Sequence, residues 1–502
     1  MNQHSIKWES LVKKRLSVLA RSLENEGMQR EYFMTALGID FGFRNKKVID
    51  WMEYLDADEV DEFRQIVEDK LDKEPRALLD VAERSYQACK AAEKVAERIA
   101  AHDTWDGAPR SELAATIGEF MQVMLELTPV LYLLPVDEII ERRLKKYLHE
   151  SLSGLNKTNL VDEYFLILTQ PERPIAVVRD HLELVRVCAD MATDEAFLTD
   201  LEAMDAESLP PGLRRTLQSL VDEYGWINTD DFEGQPWTLQ DYLNRVRFLM
   251  HQDCRKELSR IEGMRRERRL QHDRIFNELQ PEGAFLDMIR TAAEYSYLRT
   301  YRAETWIRAL YQASRLLGEV ARRMHLEPND IRFITLEEIT SFLESAQVVP
   351  KNEIRGRRQG FDYVMVDAEV TYYWYRGTPV DVVSREQEPD LMTRIEGTIA
   401  SMGVVKGRVK VVDNVRELTK VEEGDILVAS MTTPEFIPAM ERAKGFVTDE
   451  GGLTCHAAIV SRELGVPCIV GTGTATKVLR DGDFVELNAN EGYVVKLAPV
   501  GD

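Results

Sequence analysis

The sequence predicts a multidomain α plus α/β protein: a large, mostly α-helical N-terminal region followed by a compact C-terminal β/α domain. Three observations carry this. Residues 1 to about 345 contain few glycines and prolines, and their apolar residues recur at spacings of three and four, the period of helices packed on one face. From about residue 352 the composition turns to β-branched and aromatic runs, which favour strands. Near the C-terminus, Phe446-Val447-Thr448, the turn Asp449-Glu450-Gly451-Gly452, a helical stretch from Cys455 to Glu463 and Cys468-Ile469-Val470 read as strand, glycine turn, helix, strand.

In chain order, residues 74–103 are rich in Ala, Glu, Lys and Arg, as in a helix with one solvated face, and Glu112 to Leu127 continues that style. Pro129 to Pro135 is the most apolar run. Its length of seven and its terminal prolines make it a buried connector, with a new helix from Pro135 to about Ser151. Breaks at Pro171 to Pro174, Pro210-Pro211 and Gly234 to Trp237 precede a charged helix from about Leu239, in which the basic stretch Arg255 to Arg269 reads as a solvated face. Trp306, Leu310, Ala313, Leu317, Val320 and Met324 form the core stripe of a helix over Ala292 to Met324, and Thr335 to Glu338 is a capping box. Phe361 to Val366 and Val370 to Tyr375 are strands. In the last domain the strands are Val404 to Val412, Ile426 to Ala429, Gly445 to Thr448, Cys468 to Val470, Phe484 to Leu487 and Tyr493 to Leu497. The resulting division is a helical domain 1–155, a helical region 156–385 with a short β segment near 360–376, a hinge linker 386–396 and a compact domain 397–502.

Composition excludes several classes of function. A net charge of −23 over 502 residues disfavours nucleic-acid and anionic-membrane partners. No run of eighteen apolar residues spans a membrane, and the N-terminus lacks an apolar signal core. Five scattered cysteines suit a reducing cytoplasm.

The candidate chemistry centres on His456, in the first turn of its helix. First-turn N–H groups lack internal partners and attract anions such as phosphate. The same field disfavours imidazolium, so the ring stays neutral and nucleophilic, able to take a phosphoryl group and pass it on. Gly451 and Gly452 leave room for phosphoryl oxygens. Thr454 is a good N-cap and a candidate hydroxyl donor, and Cys455 is a small spacer between cap and nucleophile. A buried or capping histidine remains the plain alternative. Zinc is disfavoured, because adjacent Cys455 and His456 point apart and no C-x-x-C or H-x-x-x-H pattern accompanies them.

The run from Gly397 to Leu497 resembles the swivelling phosphohistidine domain of phosphoenolpyruvate-utilising enzymes, a group that includes pyruvate phosphate dikinase, phosphoenolpyruvate synthase and rifampin phosphotransferase. The matching pieces are Gly397 to Gly403 with Gly407, Gly424 to Val428, Thr433-Pro434, Thr448 to Gly452, Thr454 to Ile459, Arg462 to Pro467 and Gly482-Asp483. The resemblance implies that His456 carries the phosphoryl group. Tyr224-Gly225-Trp226 with Pro236-Trp237, and Asp330 to Glu338, look like landmarks of the helical acceptor-binding domain of rifampin phosphotransferase, although the arginine common after the first of these is Ile227 here.

No G-x-x-x-x-G-K-[ST] loop occurs, and Gly471 to Thr476 reads as structural. Nothing resembles an ATP-grasp domain or a phosphoenolpyruvate-binding barrel. The expectation is a phosphotransferase subunit that binds no cofactor alone. An ATP-grasp partner holding ATP and Mg would phosphorylate His456, which would then deliver to a small-molecule acceptor in the helical domain. The alternatives are a non-catalytic binding or regulatory protein with an inactive histidine domain, and a chain charged by a phosphocarrier protein.

Overall fold

Strands from both ends of the chain's first 383 residues build one sheet. The computed structural model describes all residues except 1–5, 14–15, 50, 172, 192–200, 202–203, 230–234, 251–252, 359, 375–393, 414, 433–435, 454 and 498–502. The chain divides into two units. The first comprises Met1–Tyr147, Thr229–Gly234 and Glu282–Val383, and the second Leu148–Asn228, Gln235–Pro281 and Ser384–Asp502. This division differs from the sequence-based one, because residues expected to form one region over 156–385 are shared between both units. The landmarks Tyr224-Gly225-Trp226 with Pro236-Trp237 and Asp330 to Glu338 accordingly fall in the second and first unit respectively.

The first unit holds a five-stranded antiparallel sheet. Its strands are β1 (Trp8–Lys13), β2 (Lys46–Ile49), β3 (Met52–Asp56), β4 (Phe361–Val366) and β5 (Glu369–Trp374), in the order β1-β3-β2-β4-β5. The N-terminal region is mostly helical as the sequence predicts, with β1 to β3 as three short strands that the reading did not anticipate. These strands are short, and their stability comes from distant partners: Lys46 faces Met365 across β2 and β4. β4 and β5 form a tight hairpin whose turn residues Asp367 (φ 53°) and Ala368 (φ 66°) are both left-handed, the conformation that matches strand twist.

The long helix spans Gly283–Arg323, starting earlier than its apolar stripe suggests, and packs along Ala77–Ala100. Pro129 lies within the Arg110–Leu131 helix and Leu134–Ser153 begins the next, so the expected connector shrinks to Tyr132 and Leu133. The capping box forms as read: the Glu338 N–H donates to Thr335 Oγ1 and the Thr335 N–H to Glu338 Oε2.

Inside this unit sits a cluster of buried charges. Arg21 and Lys46 have no exposed surface, and Glu53 is 2% exposed. Arg21 pairs with Glu24 (2.8 Å) and Glu53 (2.6 Å), and Lys46 with Glu53 (2.9 Å) and Glu24 (3.2 Å). The Tyr132 hydroxyl accepts from Lys46 and donates to Glu53. Two cations balance two anions, and the hydrogen bonds offset the cost of removing them from water.

The second unit joins helices to an eight-stranded sheet. The helices are Val161–Leu168, Ala176–Met191, Pro211–Tyr224, Leu239–Met250 and Cys254–Leu279. The strands are β6 (Arg394–Glu396), β7 (Thr398–Ser401), β8 (Val404–Val412), β9 (Ile426–Ala429), β10 (Gly445–Thr448), β11 (Cys468–Val470), β12 (Phe484–Asn488) and β13 (Tyr493–Lys496), in the order β6-β13-β12-β8-β9-β10-β11-β7. The central strands β8 to β11 are parallel, and β9 to β11 are almost fully apolar, as expected for strands covered on both faces. Of the expected hinge 386–396, residues 386–393 lie outside the described residues. Residues 394–396 are strand β6, paired with β13. No helix among the described residues is long and apolar enough to cross a membrane.

Candidate functional site

In parallel β/α sheets, loops at the carboxyl ends of the strands meet at the site. Here β9 and β10 end at Ala429 and Thr448, and the two following loops are tied together. The Asp449 N–H donates to Ala429 O, the Glu450 N–H to Ser430 O and the Ser430 hydroxyl to Glu450 Oε1. This extension of the strand pairing brings Thr432 to His456. Thr432 Oγ1 lies 2.9 Å from His456 Nδ1. Sequence reasoning missed Thr432, which directly precedes the matched Thr433-Pro434. Only the pairing of β9 with β10 shows that it faces the histidine.

The helix is His456–Leu464, one residue shorter at its start than expected. Cys455 occupies the N-cap position, and its side chain makes no capping bond. Thr454, expected to cap, lies outside the described residues. Cys455 is half-buried and not disulfide-bonded, and its N–H donates to Gly452 O. Gly451 has φ +105°, and a Cβ there would come 2.8 Å from Cys455 Sγ, so glycine is required for the turn to close over the thiol. At Gly452 a Cβ would meet nothing within 4 Å, so the loop is open on that side. Gly465 ends the helix at φ +66°.

His456 is the first helical residue. Its Nε2 is buried and has no hydrogen-bond partner among the described residues. Burial pushes the imidazole pKa down to about 3, so the ring is neutral near pH 7. Behind it, Arg462 donates from Nε to Ala458 O and from Nη2 to Leu453 O, tying the loop to the helix, while burial lowers its guanidinium to about 10. Asp449 accepts from the Thr472 hydroxyl and from the N–H groups of Ala475 and Thr476. The glycine-rich Gly471 to Thr476 segment is thus held as a structural turn.

The far end of the histidine helix is gripped by the Cys254–Leu279 helix. Arg265 (3.0 Å), Arg268 (2.9 Å) and Gln170 (3.1 Å) all reach Glu463. Arg268 also donates to Arg462 O and Arg260 to Leu464 O, covering terminal carbonyls that lack helical partners. Burial works to raise the Glu463 carboxyl, but Arg268 and Arg265 hold it below its usual range. A second grip is Glu441, which accepts from Arg245 (3.0 Å) and sits 2.7 Å from His181 Nδ1. The basic stretch Arg255 to Arg269, read as solvated, therefore spends several of its arginines on this contact.

The loop thus presents a neutral histidine at a helix start, with Nδ1 beside Thr432 Oγ1 and Nε2 without a hydrogen-bond partner among the described residues. Residues 421–492 match the family described as PEP-utilising enzyme, mobile domain, and this segment is such a domain. The chain is 46% identical over 143 residues to the probable phosphoenolpyruvate synthase of Methanothermobacter thermautotrophicus, covering 28% of this chain and 21% of that protein. It is 42% identical over 172 residues to the Archaeoglobus fulgidus counterpart (32% and 22%). With the phosphoenolpyruvate synthase of Pyrococcus furiosus it shares 37% identity over 188 residues (36% and 23%). The chain thus spans about a fifth of the length of these relatives.

The site yields a prediction about Thr432. If His456 takes a phosphoryl group on Nε2, positive charge develops on the ring, and a proton on Nδ1 donated to Thr432 Oγ1 would disperse it. Thr432→Val should slow phosphorylation of His456 by about a hundredfold, the usual order for one lost transition-state contact. Thr432→Ser should restore most of the rate. Initial rates of phosphohistidine formation check both, and an unchanged rate in the valine variant would remove Thr432 from the mechanism.

Proposed function

We propose that this chain is the phosphoryl-carrying component of a phosphotransferase, cytoplasmic and reliant on a separate donor subunit. The observation that supports it is the neutral His456 ring with Nδ1 at Thr432 and Nε2 without a hydrogen-bond partner among the described residues. Nε2 attacks the phosphorus of the donor, the bond from phosphorus to the leaving oxygen breaks, and the leaving group departs with the electron pair. Delivery reverses these steps onto an acceptor hydroxyl. First-turn N–H groups stabilise the phosphoryl oxygens, and positioning and electrostatics do most of the work. The donor is ATP with Mg on an ATP-grasp partner, and the acceptor is a small molecule. Movement of the mobile domain requires Glu463 and Glu441 to leave their arginines.

The names of the relatives favour a second reading, in which the phosphoryl group is exchanged with phosphoenolpyruvate. Intact-mass measurement of the purified chain separates the two. One phosphoryl group, acid-labile and base-stable, is expected with ATP, Mg and the partner, and none with ATP alone. Labelling by phosphoenolpyruvate alone would replace the donor while keeping the carrier. Labelling under neither condition, or on another residue, would overturn the carrier.

A further inference from the structure

Two thiols meet where three helices of the second unit come together. Cys188 lies near the end of the Ala176–Met191 helix, and Cys254 is the first residue of the Cys254–Leu279 helix packed along it. The Cys188 thiol donates to Cys254 Sγ. Cys254 Sγ donates in turn to Leu249 O (3.0 Å), in the last turn of the Leu239–Met250 helix. Neither cysteine is in a disulfide; Cys188 has no exposed surface and Cys254 is 2% exposed. Bonded sulfurs lie about 2 Å apart, so thiols already in hydrogen-bond contact reach bonding distance by a modest side-chain rotation.

The pair is asymmetric. The hydrogen bond from Cys188 holds the Cys254 thiol below its ordinary range, against the opposing effect of burial. The same bond, together with burial, pushes the Cys188 thiol up. Unpartnered N–H groups at the start of the Cys254 helix also favour a thiolate there. Cys254 is thus the nucleophile of the pair, and Cys188 the thiol that follows it. The same three helices carry both grips on the histidine domain: His181 and Arg245 hold Glu441, and Arg265 and Arg268 hold Glu463. The charges of Arg245 and Glu441 act on the Cys188 thiol, which places the pair beside the first grip.

We propose that Cys188 and Cys254 form a disulfide when oxidised by hydrogen peroxide, and that this bond clamps together the helices that grip the histidine domain. The Cys254 sulfur attacks one peroxide oxygen, the O–O bond breaks, and the leaving hydroxide takes up the proton lost from Cys254 to become water. The Cys188 sulfur then attacks the sulfur of the resulting sulfenic acid. An S–S bond forms, the S–O bond breaks, and the hydroxide leaves with the Cys188 proton as a second water. Two thiols are oxidised and one peroxide is reduced. An oxidant the size of water suits so buried a pair. With the helices joined, both grips share one rigid base, and the domain leaves its docked position less often. The inference does not rest on His456 carrying a phosphoryl group.

Peptide mapping of the full chain, treated with hydrogen peroxide and then alkylated, tests the bond. The Cys188 and Cys254 peptides should be joined after peroxide and separate again under dithiothreitol. Amide hydrogen exchange tests the clamp. The His456–Leu464 helix should exchange about tenfold more slowly in the oxidised chain, a coupling of ordinary size between linked sites. In Cys188→Ala, peroxide should leave that exchange rate unchanged. Separate Cys188 and Cys254 peptides after peroxide, or a Cys455–Cys468 disulfide in their place, would overturn the proposal. So would unchanged exchange in the oxidised wild-type chain, or exchange slowed by peroxide in the alanine variant.

Discussion

His456→Gln should leave the chain folded and unable to accept a phosphoryl group. Glutamine is close in volume and can keep one hydrogen bond to Thr432, so the loop that Asp449 and Arg462 hold in place is retained. What disappears is the nucleophilic ring nitrogen, for which an amide is no substitute. Intact-mass analysis with each donor should find no label, and turnover at the wild-type rate would defeat the carrier reading outright. The same residue sets a pH signature. A histidine with a pKa near 3 does not titrate between pH 5 and 8, so the rate of label uptake should show no imidazole limb near the ordinary value of 6.5. Keeping the ring neutral also costs stability below pH 6.5, because the unfolded chain then binds a proton that the folded chain refuses. His456→Gln should therefore flatten the loss of stability between pH 6.5 and 4.

Glu53→Gln should destabilise the first unit by about 3–5 kcal/mol, the usual cost of leaving a buried charge without its partner. Lys46 and Arg21 would share a single carboxylate, Glu24, with no water to take up the excess charge. Denaturant unfolding checks the magnitude, and a shift below about 0.5 kcal/mol, typical of a surface position, would show that the cluster adds nothing. The pH dependence follows from the same pairs. Burial alone would raise the Glu53 carboxyl, but Lys46 and Arg21 hold it at about 2 against an ordinary 4.5. Its contribution is therefore complete above pH 4.5 and is lost as pH falls toward 2. The variant should lack that part of the acid transition.

Sequence reasoning worked best where the signal was local. β9 to β11 are short apolar runs, β8 alternates apolar and basic residues, and the limits of all four match the structure. His456 is legible because glycines, cap and helix stop lie within fifteen residues of it. What was missed depends on contacts far along the chain. Lys46-Lys47-Val48-Ile49 has too few residues to declare itself a strand and becomes one through β3 and β4. Thr432 acquires its role only across the β9–β10 pairing. Arg265 and Arg268 have the same local pattern as any solvated helix face, and Glu463, nearly 200 residues away, gives them a different one. The helix start moved from Cys455 to His456 because a cap assignment depends on backbone angles, which residue type only biases.

The pairing of Lys46 with Met365 also sets a timetable for synthesis. At about 5–20 residues per second, a ribosome needs on the order of tens of seconds between making the first strand and making the one that lies beside it. Through that interval β2 has an open edge, and the Lys46 ammonium waits in a nascent chain whose sheet is incomplete. The nascent chain thus passes through a period in which chaperone capture competes with misassembly. Slowing translation after residue 56 should lengthen that period, whereas slowing it after residue 374 should not.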